Sequence, residues 1–121
     1  MTIYSSVVEM IGNTPVIDVS ELCSNPRVRL LAKLEGQNPA GSVKDRIARS
    51  MIQEAEAEGR LFPGCTIIEP SSGNTGIALA MIACIRGYSV KIVLPGNVSP
   101  ERRHALEAFG AEIIDSPAIE G

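Results

Sequence analysis

The stretch CTIIEPSSGNTGIALAMIACIRGYSVKIVL, residues 65–94, decides the fold. It begins with a short β-branched run at 65–69, passes through a loop of small residues, and becomes apolar on every side at 77–85. A second apolar, β-branched run occupies 89–94. Short apolar runs between turn residues are typical of buried strands, and a helix that is apolar all round is typical of one buried between layers. The stretch therefore predicts a strand, a helix and a second strand.

The same alternation extends on both sides of this stretch. Ser99 and Pro100 begin a predicted helix that ends at Gly110, and strand character resumes at 112–115. Upstream, apolar residues recur at helical spacing between charged residues until Gly59, which predicts an amphipathic helix. Strands that alternate with helices predict an α/β fold of three layers, with a mostly parallel sheet and right-handed βαβ crossovers.

Length and charge narrow the classes of function. The 121 residues suffice for one compact domain, and the net charge of −3 gives no basic surface of the kind that binds nucleic acid. No apolar run approaches the about 20 residues of a membrane span, and the first residues lack the pattern of a secretory signal. We therefore expect a cytoplasmic protein that acts on a small polar or anionic metabolite, with no nucleic acid or membrane partner.

The cysteines and the histidine do not indicate a metal site. Cys23, Cys65 and Cys84 are an odd set without CxxC spacing, which argues against the common zinc and disulfide patterns. We predict no metal and expect the three thiols to be buried as small hydrophobes. The single histidine, His104, is interpreted as a solvated surface group.

A lysine lies at the start of the amphipathic helix, in the segment NPAGSVKDR at 38–46. Ser42 and Asp45 have the spacing of a capping box, so the helix is predicted to begin at residue 43 with Lys44 in its first turn. The positive end of the helix dipole disfavours an ammonium there by about 0.3–1 kcal/mol. The same field favours the neutral amine that attacks an aldehyde. Lys44 is therefore a candidate nucleophile; the alternative is a surface lysine whose side chain bends into solvent.

A loop of small polar residues, SSGNTG at 71–76, lies between a predicted strand and a predicted helix. Ligands of parallel α/β sheets bind outside the carboxyl ends of the strands, and a helix N-terminus offers free N–H groups to an anion. The alternative is a tight turn with a helix cap. Neither a Walker-A lysine nor GxGxxG is present, so nucleotide binding is not indicated. The candidate binding residues are Ser71, Ser72, Gly73, Asn74 and Thr75.

Three motifs together resemble one enzyme family. GNTP at 12–15, NPAGSVKDR at 38–46 and SSGNTG at 71–76, in this order and at this spacing, resemble the fold-type II pyridoxal-phosphate (PLP) enzymes. IALAMIA at 77–83 and the ERR…FGAEII stretch at 101–114 are similar to the cysteine synthase B type, the O-acetylserine sulfhydrylases. The resemblance covers almost the whole chain.

The resemblance implies a cofactor and a reaction. PLP would be held by Lys44 as a Schiff base, and the released lysine would remove the α-proton of the substrate. Ser71, Ser72, Gly73, Asn74 and Thr75 would bind the substrate carboxylate, and Asn74 would also contact the 3′ oxygen of the cofactor. The implied reaction is a β-replacement that converts O-acetylserine and a sulfide-type donor to L-cysteine and acetate.

Two alternatives remain open at this point. Cystathionine β-synthase and the serine or threonine dehydratases share the fold and the cofactor but catalyse other reactions. A non-catalytic fragment or binding module, lacking the site for the cofactor phosphate, belongs to a different class of function.

The resemblance also implies a division of the chain. Residues 1–35, which include a predicted strand at 28–35, would pack on a large domain outside this sequence and leave an apolar surface uncovered without it. Residues 36–121 would form a small α/β domain that is incomplete at its C-terminal end. The implied partners are a small amino acid substrate and, in the full-length form, a second copy in a homodimer; a companion C-terminal polypeptide is the alternative source of the missing part.

Overall fold

The computed structural model describes residues 1–117. Within that range the strands are β1 (Val16–Asp18), β2 (Leu31–Lys33), β3 (Thr66–Pro70), β4 (Ser89–Pro95) and β5 (Glu112–Ser116). The α-helices are α1 (Lys44–Ala57), α2 (Asn74–Arg86) and α3 (Pro100–Ala108). Short 3-10 helices occur at Val7–Met10, Ser20–Leu22 and Glu35–Gln37.

The last three strands form a parallel sheet in the order β3-β4-β5, and α2 and α3 are the connections between them. Both helices cover the same face of this sheet. Their buried side chains join every second residue of β4 in one apolar cluster, which contains Ala80, Ala83, Val90, Ile92, Leu94 and Leu106. The predicted α/β fold with a parallel sheet and βαβ crossovers is confirmed.

The opposite face of the parallel sheet is open within the described residues. Ile68 of β3 is 62% exposed and pairs with half-buried Lys91 of β4, and Ile114 of β5 is 38% exposed and pairs with half-buried Val93 of β4. The sheet, which was predicted to be the middle of three layers, therefore has helices on one side only in this part of the chain.

The first two strands form a separate antiparallel sheet. It has three residues per strand, and all residues of β1 are exposed, including the apolar Val16 and Ile17. Leu31 of β2 is also exposed. An isolated two-stranded hairpin of this kind is only marginally stable. The proposed packing of residues 1–35 on a further domain stays a prediction.

Helix α1 packs beside α2 and runs in the same direction. Near their C-terminal ends, Glu56 lies 3.7 Å from the guanidinium of Arg86 and accepts a 2.9 Å hydrogen bond from the hydroxyl of Tyr88. Further along, buried residues of both helices share one cluster, which includes Ala48, Ile52, Ala78 and Ile82. The N-terminal ends, at Lys44 and Asn74, therefore lie at the same end of the helix pair.

Several local predictions were shifted or wrong. Helix α1 begins at Lys44 rather than 43. The Lys44 N–H donates to Ser42 Oγ at 3.1 Å, and the Asp45 carboxylate accepts the Ala40 N–H at 2.6 Å. The strand predicted at 28–35 is confined to Leu31–Lys33, where β1 pairs with it.

The burial predicted for the cysteines was also wrong. Cys84 is exposed, and Cys23 and Cys65 are only half-buried. Ile82 and Ala83 belong to the buried side of α2, whereas Cys84 lies on the exposed side of the same helix.

None of the described helices has the length and apolar character to span a membrane. The described His, Cys, Asp and Glu side chains nowhere gather in groups of three or more that could hold a metal ion.

Candidate functional site

The candidate site lies at one end of the fold, where several termini meet. The loop at 71–76, which we call the serine-rich loop, follows the carboxyl end of β3 and leads into α2. The pairing of α1 with α2 brings the start of α1 to the same end. The sequence predicted the lysine and the serine-rich loop separately. The fold places both at N-terminal ends of neighbouring helices, where the dipoles favour anions.

Ser71 organises the serine-rich loop from within. Its Oγ accepts hydrogen bonds from the N–H groups of Gly76, at 3.1 Å, and Gly73, at 3.4 Å. With two bonds accepted, the hydroxyl hydrogen remains for donation to another group. Gly76 is closely packed there: an added Cβ would lie 3.3 Å from both Ile92 Cγ2 and Ser71 Cβ, so one of these neighbours would have to shift by a few tenths of an ångström.

The first turn of α2 leaves two backbone donors free. The N–H groups of Asn74 and Thr75 have no hydrogen-bond partner among the described residues. Such donors at the positive end of a helix bind carboxylate or phosphate oxygens. Asn74 and Ser72 are exposed, and Gly73 and Thr75 are half-buried, so an anion can reach the turn from solvent.

An open cavity of about 340 Å³ adjoins the loop on the uncovered face of the sheet. The strand ends β3, β4 and β5 all contribute to its wall, and its lining includes Pro70, Ser71, Ser72, Val93, Pro95 and Ser116. The cavity lies outside the carboxyl ends of parallel strands, which is the usual position of a ligand in such sheets.

Lys44 differs from the other lysines of the chain. Lys33 donates to the Thr14 carbonyl oxygen at 2.9 Å, and Lys91 lies 3.0 Å from the Glu112 carboxylate. Across residues 1–117, the ammonium of Lys44 alone has neither an ion pair nor a hydrogen bond. The half-buried Lys44 side chain is therefore available to react with a ligand.

A polar network, which we call the Arg46 clamp, fixes the segment that carries Lys44. It consists of Thr14, Glu35, Asn38 and Arg46. The Arg46 guanidinium donates to the two Glu35 oxygens at 2.8 and 3.0 Å and to Thr14 Oγ1 at 3.0 Å. Asn38 Nδ2 donates to Glu35 at 3.0 Å. Because Lys44 lies between Asn38 and Arg46 in the chain, the clamp holds both ends of its segment.

The clamp also explains the GNTP motif. The Gly12 N–H donates to Asn38 Oδ1 at 2.9 Å. Gly12 has a φ of 95°, and an added Cβ would lie 3.0 Å from Arg46 Nη1, so a side chain there would be strained and crowded. Sequence reasoning missed Glu35 and the role of Arg46, although both motifs that the clamp joins had been singled out.

Glu35 makes the clamp sensitive to acid. Hydrogen bonds from Arg46 lower the pKa of Glu35 from 4.5 to about 2, against an opposing effect of burial. A pKa that is lower in the folded state adds stability above the unfolded value, and this stability is lost as pH falls from 4.5 through 2. Relative to wild type, Glu35→Gln should therefore lose more free energy of unfolding at pH 6 than at pH 3. Urea midpoints of both proteins at both pH values would measure this difference. Glu112→Gln, outside the clamp, is the control; an equal loss at both pH values for Glu35→Gln would contradict the assignment.

Asp45 closes the other side of the lysine segment. It is fully buried, with one carboxylate oxygen bonded to the Ala40 N–H at 2.6 Å and the other without a protein partner among the described residues. Burial raises the pKa of this carboxyl. Its bond to Ala40 ties the turn before α1 to the first turn of the helix that contains Lys44.

Comparisons with known proteins agree with these features. The family model described as pyridoxal-phosphate dependent enzyme matches residues 7–120. Cysteine synthase B of Pseudomonas syringae pv. syringae is 50% identical over 118 residues, which are 98% of this chain and 70% of that protein. Cysteine synthase B of Escherichia coli strain K12 is 53% identical over 110 residues, which are 91% of this chain and 36% of that protein.

A solved structure is similar over the same range. The crystal structure of cysteine synthase from Entamoeba histolytica superposes with a TM-score of 0.92 at 43% identity, covering 99% of this chain and 37% of that one. The chain therefore spans little more than a third of the Escherichia coli and Entamoeba proteins.

Proposed function

Because this chain belongs to the family of pyridoxal-phosphate dependent enzymes, we propose that it carries the lysine and the carboxylate-binding part of a cysteine synthase active site. The reaction is a β-replacement, in which O-acetylserine and a sulfide-type donor give L-cysteine and acetate. One observation supports the proposal: α1 and α2 pack together with Glu56 beside Arg86 near their C-terminal ends, so their N-terminal ends, with Lys44 and Asn74, lie toward the same end of the helix pair.

The residues present fit the cofactor. PLP needs an amine for its aldehyde, and Lys44 is the lysine without a protein partner in the part of the chain that the structure describes. Asn74, exposed at the first position of α2, would hydrogen-bond the 3′ oxygen of the ring. The substrate carboxylate would be bound by the free N–H groups of α2 and by the side chains around them, which are Ser71, Ser72, Asn74 and Thr75.

The roles of the chain's own groups follow from these positions. Bound PLP supplies an electron-withdrawing ring that stabilises negative charge at the substrate Cα. The first turn of α2 binds and orients the carboxylate, which sets the direction of the Cα–H bond. Lys44 Nζ then accepts the α-proton as a general base.

The alternatives are less well supported. The relatives described above are named cysteine synthases, whereas cystathionine β-synthase and the dehydratases rest on the shared fold alone. The cofactor-loaded protein should convert O-acetylserine and sulfide to cysteine, and its visible absorbance should change when O-acetylserine is added. Product from serine and homocysteine instead would favour cystathionine β-synthase. A protein that stays colourless with added PLP would favour a non-catalytic binding module.

We also propose the assembly and location that accompany this function. Residues 1–35 would pack on a second domain, which agrees with the exposed Val16, Ile17 and Leu31 of the small antiparallel sheet. The full-length form would be a cytoplasmic homodimer, with a companion polypeptide as the alternative source of the second domain. Sedimentation of the native protein distinguishes a homodimer from a complex of two different chains.

Asn74 provides a test of the substrate site. Asn74→Ala removes the side-chain amide but keeps the helix N-terminus, so kcat/KM for O-acetylserine should fall about ten- to hundredfold, as for a lost hydrogen bond to a charged group. Steady-state kinetics would measure this. Asn97→Ala, in the exposed loop before α3, is the matched control. Equal values for wild type and Asn74→Ala would place the substrate elsewhere.

A further inference from the structure

An arginine on α3 contacts the serine-rich loop directly. Arg102 Nη1 donates a 2.9 Å hydrogen bond to the carbonyl oxygen of Ser72. The arginine is exposed, and its guanidinium makes no ion pair with any residue in the range 1–117. Its neighbour Arg103 pairs instead with Asp115 on β5. Of these two adjacent arginines, one anchors α3 to the sheet and the other reaches the candidate site.

The contact completes the support of a single peptide group. The carbonyl of the Ser72–Gly73 peptide accepts from Arg102, and the N–H of the same peptide donates to Ser71 Oγ at 3.4 Å. A peptide group is planar, so bonds to both ends fix its orientation. The next two N–H groups along the chain, those of Asn74 and Thr75, are the free donors of α2.

We propose that Arg102 is a positioning residue for substrate binding: it holds the Ser72–Gly73 peptide so that the N–H groups of Asn74 and Thr75 meet the substrate carboxylate. The proposal rests on the proposed function. A hydrogen bond from a guanidinium is stronger than one between neutral groups. Arg102 is thus suited to hold a glycine-containing loop that would otherwise sample several conformations.

The same contact links α3 to the substrate. Helix α3 begins directly after the loop at 96–99, at the carboxyl end of β4. The Arg102 contact orients the peptide that precedes the free N–H groups of α2. A carboxylate bound to those N–H groups would in turn favour the arrangement in which Arg102 reaches Ser72. Removal of the Arg102 guanidinium should weaken ground-state binding of the amino acid and leave the chemical step unaffected.

The test compares three variants of the cofactor-loaded protein. Arg102→Ala removes the contact, Arg102→Lys keeps one charged donor, and Arg103→Ala removes the neighbouring ion pair but not the contact. The probe is L-alanine, an amino acid without a leaving group, and its Kd is measured by calorimetry. The KM and kcat for O-acetylserine are measured in parallel, and thermal melts check the fold.

We expect Arg102→Ala to raise the Kd of L-alanine about tenfold, equivalent to about 1.4 kcal/mol. It should raise KM by a similar factor with kcat unchanged, because the lost interaction is equal in ground and transition states. Arg102→Lys should restore part of the affinity. Arg103→Ala should leave Kd within about twofold of wild type.

Three results would overturn the proposal. An unchanged Kd in Arg102→Ala, with wild type converting O-acetylserine normally, would refute the positioning role and leave the proposed function intact. An equal rise in Kd for Arg103→Ala would show that anchoring of α3, not the contact with Ser72, is responsible. A wild-type protein that neither binds PLP nor responds to O-acetylserine would refute the proposed function and this role together.

Discussion

Lys44→Ala should abolish both the visible absorbance of the cofactor-loaded protein and its cysteine synthase activity. The substitution removes the amine that holds the aldehyde and the base that accepts the α-proton. Loss of a general base alone lowers rates by about 10²- to 10⁴-fold, and loss of covalent attachment adds to this. Absorbance spectra and initial rates with O-acetylserine and sulfide would measure both effects. The fold should be retained, because the Lys44 side chain makes no hydrogen bond or ion pair within the described residues.

Lys91→Ala is the matched control for this experiment. Lys91 is half-buried like Lys44, but it pairs with Glu112 on the neighbouring strand. An exposed or half-exposed pair of this type contributes at most about 1 kcal/mol to stability. Lys91→Ala should therefore keep the absorbance and the activity. A loss of both signals in Lys91→Ala, with Lys44→Ala unaffected, would mean that the wrong lysine has been assigned.

Ile92→Ala should destabilise the fold by about 2–5 kcal/mol, the usual cost of truncating a fully buried isoleucine. Ile92 is 0% exposed in the middle of β4 and packs in the cluster shared with α2 and α3. Its Cγ2 also lies 3.3 Å from the position that a Cβ of Gly76 would occupy. The cavity left by truncation of Ile92 would therefore loosen the first turn of α2 as well as the core. Urea unfolding, with a check that the m-value is unchanged, would measure the loss.

The same substitution on the opposite face of the sheet is the control. Ile68 of β3 is 62% exposed on the uncovered face. Surface substitutions of this kind change stability by about 0.5 kcal/mol or less. If Ile68→Ala cost as much as Ile92→Ala, the assignment of the two faces of the sheet would be wrong.

The periodicity of the sequence predicted the parallel half of the fold well. The strands near residues 65–69 and 89–94 and the helix between them were correct to within a few residues, because their apolar character reflects burial by the sheet and α2. The start of α2 was missed by three residues. Asn74, Thr75 and Gly76 are poor helix formers, and their helical conformation is supported by a bond from Gly76 to Ser71, which spacing alone does not indicate.

The antiparallel strands were harder to predict. The apolar run at 28–35 has the composition of a longer strand, but β2 extends only as far as β1 pairs with it. Strand length depends here on the partner and not on the run itself. A pattern of apolar residues cannot supply that information.

The candidate site could be predicted in its parts but not in its assembly. Lys44 and the serine-rich loop were identified from helix starts and small residues, whereas their placement toward the same end of the helix pair depends on the packing of α1 against α2. The Glu35–Arg46 pair joins two charged side chains, and Arg102 contacts a backbone carbonyl 30 residues away in the chain. In a sequence, such side chains are indistinguishable from solvated surface charges.

The central claim is that Lys44 is the amine that holds the cofactor. Sodium borohydride makes the bond between PLP and its amine permanent, so the loaded protein can be reduced, digested and mapped by mass spectrometry. We expect a pyridoxyl group on the peptide that contains Lys44, and none on the peptides that contain Lys33 or Lys91. A label on either of those lysines, or a coloured protein that carries no label at Lys44, would contradict it.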